Sequence, residues 1–165
     1  MMFTTKAEYG VRLLIELGRQ GSEPDGAVVS LKAIADAELL PLAYLERIVA
    51  KLKKAGLVES TRGAHGGYRL ARDATEIRMD EVIVAPEGQP TPMTCFADVP
   101  DGASESRVVC HHNHTDGHTC ATKLLWTRVL GGVQSSLHAT TLDELVAFSR
   151  RAETTQTTDA APTAA

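Results

Sequence analysis

The chain has 165 residues, 43% of them hydrophobic, with 17 Lys/Arg against 21 Asp/Glu and a net charge of −4. That length fits one domain, or a small domain with a helical appendage, around a core of aliphatic side chains, since aromatics make up only 4%. The apolar runs are too short to span a bilayer, and MMFTTKAEYG carries Glu8 and no apolar signal core, so a cytoplasmic protein without membrane association is expected.

The pattern predicts a first helix over residues 5–20. Thr5-x-x-Glu8 reads as a capping box, with Thr5 as N-cap, and Val11, Leu14, Ile15 and Gly18 recur at helical spacing. GSEPDG at 21–26 is a loop, and Val28-Val29 adds a short strand. Ser30 caps a second helix carrying Leu31, Ile34 and Ala35 on one face. Pro41 suits the first position of a third helix, whose buried stripe is Leu42, Leu45, Ile48, Val49 and Leu52. Tyr44, Arg47, Lys51 and Lys54 form the opposite stripe, and Gly56 ends the helix. Two helices joined by a short connection, the second with a basic exposed face, make a helix-turn-helix.

Residues 57–61 and 67–71 are strand-like runs around RGAHG, the pattern of a wing hairpin. Gly63, Gly66 and Gly67 there allow positive φ and close backbone approach. Residues 41–72 hold seven Lys/Arg against Glu46 and Glu59, a local charge of +5 against the trend of the chain. A phosphate-binding face requires such a concentration. The candidate DNA-binding residues are Tyr44, Arg47, Lys51, Lys54, Arg62, His65 and Arg69.

A short helix is predicted over 77–84, stopped by Pro86. Residues 85–118 lose periodicity and are rich in Pro, Gly, Thr, Asp and His, too long a stretch for an idle connector. They hold Cys95, Cys110, His111, His112, His114 and His118, and Cys120 follows. An odd count of cysteines in a cytosolic chain points to metal ligation or redox chemistry rather than disulfides. Soft thiolates favour an iron–sulfur cluster or zinc, and zinc accepts mixed Cys/His sets such as the one in CHHNHTDGHTC. A long helix follows from Thr119 to about His138, with Trp126, Val129, Leu130, Val133 and Leu137 on one stripe. Gly131-Gly132 inside it costs about 2 kcal/mol against Ala-Ala, and a closely packed partner helix is one way to offset that. Thr141-x-x-Glu144 opens a last helix to about Arg151, and the tail from 152 to 165 is predicted to be disordered.

The expected architecture is mainly α with a small β-hairpin wing. A winged helix-turn-helix domain spans 1–84, a Cys/His-rich cofactor loop 85–119, and dimerisation helices 120–151. Catalysis is not expected: beyond a Cys–His neighbourhood there is no nucleophile elbow and no phosphate loop.

YLERIVAKLKKAGLVESTRGAHGGYRLAR resembles the recognition helix and wing of the bacterial winged-helix regulators that include IscR and NsrR. TTKAEYGVRLL and LLWTRVLGGVQSSLHATTLDEL match that family's first helix and dimerisation helix, so the likeness covers residues 2 to about 150. The resemblance implies a homodimeric repressor that binds a double-stranded operator and holds an iron–sulfur cluster, [2Fe–2S] or [4Fe–4S], through Cys95, Cys110 and Cys120. In some members an acidic residue at this place in the first helix supplies a weakly held further ligand from the other subunit, which makes Glu8 one candidate, with His111, His112, His114 and His118 as rival donors, and redox state, nitric oxide or cluster supply the signal. The alternative is the same fold responding to zinc or thiol oxidation. Three departures stand out. His65 replaces a glycine usual in the wing, and Pro86 interrupts the segment after it. The cysteines are separated by 14 and 9 residues where the family usually spaces them by about five.

Overall fold

In the computed structural model, residues 3–21, 28–63, 66–89 and 121–159 are described, with side chains as far as Arg151 in the last helix. Helices α1 (Thr5–Gln20), α2 (Leu31–Glu38) and α3 (Leu42–Lys54) precede strands β1 (Val58–Thr61) and β2 (Gly67–Leu70). A 3-10 turn at Ala74–Glu76 leads into α4 (Met79–Glu87), and α5 (Ala121–Ala139) and α6 (Leu142–Asp159) complete the fold. The mainly helical, winged expectation is therefore met.

The core is aliphatic, as composition requires. Leu13, Leu14 and Leu17 of α1 meet Ile34 of α2, Leu45, Ile48, Val49 and Leu52 of α3, Val82 of α4, and Leu142 and Val146 of α6. Two helix faces differ from the sequence reading. In α1 Leu14 and Gly18 are buried as expected, but Leu13 and Leu17 are buried with them, while Val11 and Ile15 are half-buried. In α3 Leu42 is 38% exposed at the first turn.

Helix ends follow local chemistry where the sequence holds it. Ser30 Oγ accepts from the Ala33 N–H at 3.1 Å, as expected. Gly56, at φ 72°, ends α3 in a Schellman arrangement: its N–H reaches the Lys53 carbonyl at 3.0 Å, and the Leu57 N–H reaches Leu52 at 3.0 Å. At the end of α2 the same left-handed conformation falls on Leu39, at φ 53° and 90% exposed. A non-glycine residue there costs about 1 kcal/mol.

The start of α1 is a correction. Its N-cap is Thr4, not Thr5, and Glu8 does not close a capping box. The reciprocal carboxylate comes from Glu87 at the end of α4. Glu87 Oε1 accepts from the Thr4 N–H at 2.9 Å, the Ala7 N–H at 3.2 Å and the Thr4 hydroxyl. Partial burial pulls the Glu87 pKa upward, but the bonds from Thr4 and Ala7 and the charge of Lys6 outweigh it and hold the group below the ordinary glutamate range. Glu87→Ala is therefore expected to destabilise the fold by about 1 kcal/mol near neutral pH. A depressed folded pKa stabilises above the unfolded value, and the gain disappears as pH falls through the folded one. Denaturant titrations of wild type and variant should converge on acidification. A gap that stays constant would refute the role of the charge.

Helix α4 also departs from expectation. It starts at Met79, because Ile77 and Arg78 are extended and tied to the α5–α6 turn through Leu142 N–H to Ile77 O (2.9 Å) and Met79 N–H to Thr140 O (3.1 Å). It runs through Pro86, which lies fully buried in the last turn. There the missing proline N–H deprives one carbonyl of a partner without breaking a longer helix. Thr141 Oγ1 accepts from Glu144 N–H at 3.4 Å, in keeping with the predicted cap of α6. That helix continues to Asp159, past the Arg151 end suggested by sequence.

Candidate nucleic-acid interface

Helices α2 and α3, joined at Leu39–Pro41, form the helix-turn-helix, and the hairpin extends from the end of α3. β1 and β2 pair antiparallel, Glu59 opposite Arg69 and Thr61 opposite Gly67. Val29 adds a one-residue third strand, exchanging hydrogen bonds with Tyr68 at 2.9 and 2.8 Å. The wing is thereby fixed to the segment that enters α2. Gly63 has φ 120° and needs glycine for its backbone conformation. Gly67 needs it for space, since a Cβ there would stand 2.4 Å from the Val29 carbonyl oxygen.

Burial of Leu45, Ile48, Val49 and Leu52 sets which side of α3 faces outward. The outward row is Ala43, Arg47, Ala50 and Lys54, all exposed and spaced by four, three and four residues. Two alanines alternating with the two cations leave room for a duplex to approach the helix axis. Tyr44 and Lys51, expected on this row, lie on its flank. Tyr44 is half-buried, its ring edge-on to Tyr9 of α1 with centroids 5.5 Å apart. Lys51 Nζ donates to the Pro86 carbonyl at 2.8 Å. On the wing, Arg69 pairs with Glu59 across the strands, and Arg72 pairs with Glu81 of α4. Lys53 donates to the Ser60 hydroxyl. Arg47, Lys54 and Arg62 have no hydrogen-bond or ion-pair partner among the described residues. Three cations are thus exposed and unneutralised on one recognition helix and the wing beside it. His65 lies outside the described residues. Sequence reasoning missed the alanine row, although its small residues carried the signal: a groove-facing helix needs low relief between its cations.

The candidate metal donors divide. Cys95, Cys110 and Cys120, with His111, His112, His114 and His118, lie outside the described residues. Glu8 is described. It sits in the first turn of α1 with its side chain 63% exposed, 3.8 Å from Arg12. Arg12 is held more firmly by Glu38 at the end of α2, with Nε 2.8 Å from Oε2 and a second N–H on the Glu38 carbonyl. Relieved of capping, the Glu8 carboxylate is open at the surface.

A helix-turn-helix with a basic recognition row and a wing defines a winged-helix DNA-binding transcriptional regulator. The chain belongs to the Rrf2 family, described as an iron-dependent transcriptional regulator, which matches residues 3–148. It is 33% identical over 146 residues to protein rrf2 of Nitratidesulfovibrio vulgaris, covering 88% of this chain and 87% of that one. Among solved structures it resembles CymR, the global cysteine regulator of B. subtilis, with a TM-score of 0.68 and 31% identity over 90% of this chain and 98% of that one. It also resembles IscR of T. potens, with a TM-score of 0.70 and 30% identity over 92% and 90%. No helix of the described residues is long and apolar enough to cross a membrane.

Proposed function

We propose that the protein is a homodimeric operator-binding repressor whose affinity is set by an iron–sulfur cluster held by Cys95, Cys110 and Cys120, with Glu8 of the other subunit as the labile further ligand. The observation that carries the DNA half is the unpaired set Arg47, Lys54 and Arg62 on an otherwise low-relief face. Arg47 and Lys54 enter the major groove side, and Arg62, with His65, reaches the flanking backbone or minor groove from the wing. Support for the cofactor half is the chemistry of three soft thiolates together with a surface carboxylate free of capping duty. A bound cluster supplies a group whose charge and ligation change with redox state or nitric oxide. The chain's own part is to hold it with thiolates and to meet it with a carboxylate that readily leaves.

The test is anaerobic purification and reconstitution, with iron, sulfide and zinc analysis of wild type and of Cys95→Ala, Cys110→Ala, Cys120→Ala and Glu8→Ala. Iron and sulfide lost in all three cysteine variants support the reading. Absence of iron after reconstitution sinks it. The likeness to CymR favours one second reading, in which the same fold answers to thiol oxidation or zinc; a colourless protein that holds zinc would support it. For the DNA half, Arg62→Ala is expected to reduce the slope of log affinity against log salt by roughly 0.9, one phosphate contact. An unchanged affinity and slope in titrations at several salt concentrations would remove Arg62 from the interface.

A further inference from the structure

The last turn of α4 is joined to two other helices by consecutive residues. The carbonyls of a final helical turn lack intrahelical donors. Lys51, from the last turn of α3, supplies one to Pro86 through Nζ at 2.8 Å, a contact that is partly buried. A cation at a helix C-terminus is also favoured by the helix dipole. The next residue, Glu87, caps the start of α1 through Thr4 and Ala7. The Pro86 ring lies between these helices. A Cβ placed on Gly10 of α1 would be 3.6 Å from Pro86 Cγ and 3.7 Å from Ile48 Cγ2 of α3, so the three helices meet at van der Waals contact. Immediately beyond, Gly88 turns at φ 86° and the chain leads toward the cysteines. The end of α4 is therefore in contact with the recognition helix and, along the chain, leads on to the cysteine-bearing segment.

We propose that Lys51 is a positioning residue, which ties the recognition helix to the end of α4 and makes no phosphate contact. Its place on the α4-facing flank, beside Tyr44, rather than on the row of Arg47 and Lys54, separates it from the groove. Its ammonium is committed to a carbonyl that has no helical donor. Any displacement of the α4 terminus is passed along this bond to α3, and by linkage operator binding at α3 must bias the α4 terminus in return. The proposal rests on the DNA-binding reading and not on the cluster.

Lys51→Met keeps the aliphatic stem and removes the donor. Wild type and variant, both full-length and free of iron, would be titrated with an operator selected by the wild type from random duplex DNA, at several salt concentrations. Amide hydrogen exchange at residues 84–89 would be followed with and without that DNA. The expected result is an affinity within about twofold of wild type at low salt and an unchanged salt slope. Operator binding should alter exchange at 84–89 in the wild type, and this response should be lost in Lys51→Met. A salt slope lower by roughly 0.9 would make Lys51 a phosphate contact and overturn the proposal. So would wild-type exchange at 84–89 that ignores the operator. Failure of the chain to take up iron would count against the cluster reading alone and leave this comparison intact.

Discussion

Leu125→Glu is expected to convert a dimer to monomers and to lower operator affinity by about 10²–10⁴-fold, the scale of lost bivalency. The expectation comes from α5. None of its 19 residues is buried within one chain. Leu124 is 49% exposed, Leu125 56% and Val129 38%, and Trp126 is only half-covered. A helix with this surface and two central glycines is not self-supporting in water; most helical stability comes from packing an apolar face. Among the described residues, a Cβ added at Gly131 or Gly132 would meet nothing within 4 Å, so none of them accounts for the pair. A second copy crossing at this point would account for both the open face and the glycines, and would set two recognition helices roughly 34 Å apart for successive half-sites. Gly131→Ala separates the readings. In an isolated chain it should raise stability by about 1 kcal/mol. At a helix crossing it should weaken the dimer instead. Sedimentation equilibrium together with operator titration decides the matter. A monomeric wild type at micromolar concentration, or a Leu125→Glu variant that still dimerises and binds normally, would refute it.

Gly67→Ala is expected to have the second largest effect, destabilising the protein by about 2–3 kcal/mol, the scale of forced overpacking. The added Cβ would stand 2.4 Å from the Val29 carbonyl oxygen, 2.6 Å from its carbon and 3.0 Å from the Ser30 nitrogen. All three are backbone atoms that no rotamer change can move. Relief requires parting the Val29–Tyr68 bridge, which fixes the wing to the entry of α2. The thermal midpoint should fall by roughly 5–10 °C, from about 2–4 °C per kcal/mol for a chain of this size. Operator affinity should fall with it, because Arg62 rides on the hairpin. A midpoint within a degree of wild type, by circular dichroism, would show that the bridge does not hold the wing.

Local chemistry made much of this legible. Ser30 and Gly56 satisfy or terminate backbone hydrogen bonds within a few residues of themselves, so the ends they mark could be read from sequence alone. The wing was equally clear, because its strands and the tight loop between them are contiguous. The basic stretch from 41 to 72 announced a phosphate-binding surface by charge alone.

Which cations are available for DNA was not legible. Period counting placed Tyr44, Arg47, Lys51 and Lys54 on one stripe, yet the true outward row is Ala43, Arg47, Ala50 and Lys54. A helix has neighbours on its flanks as well as beneath it: α1 claims Tyr44 and α4 claims Lys51. The cap of α1 was misplaced by one residue for a related reason. Thr4 and Thr5 are equivalent to a local rule, and the carboxylate that chooses between them stands 83 residues away in sequence. By itself, then, the sequence determined the winged helix-turn-helix, the position of its basic face and the three soft donors before the long helix, because each depends on residues close together in the chain. Tertiary structure alone decided which charges remain unpaired and how the end of α4 is bound to α1 and α3, because hydrogen bonds and ion pairs are set by distance in space.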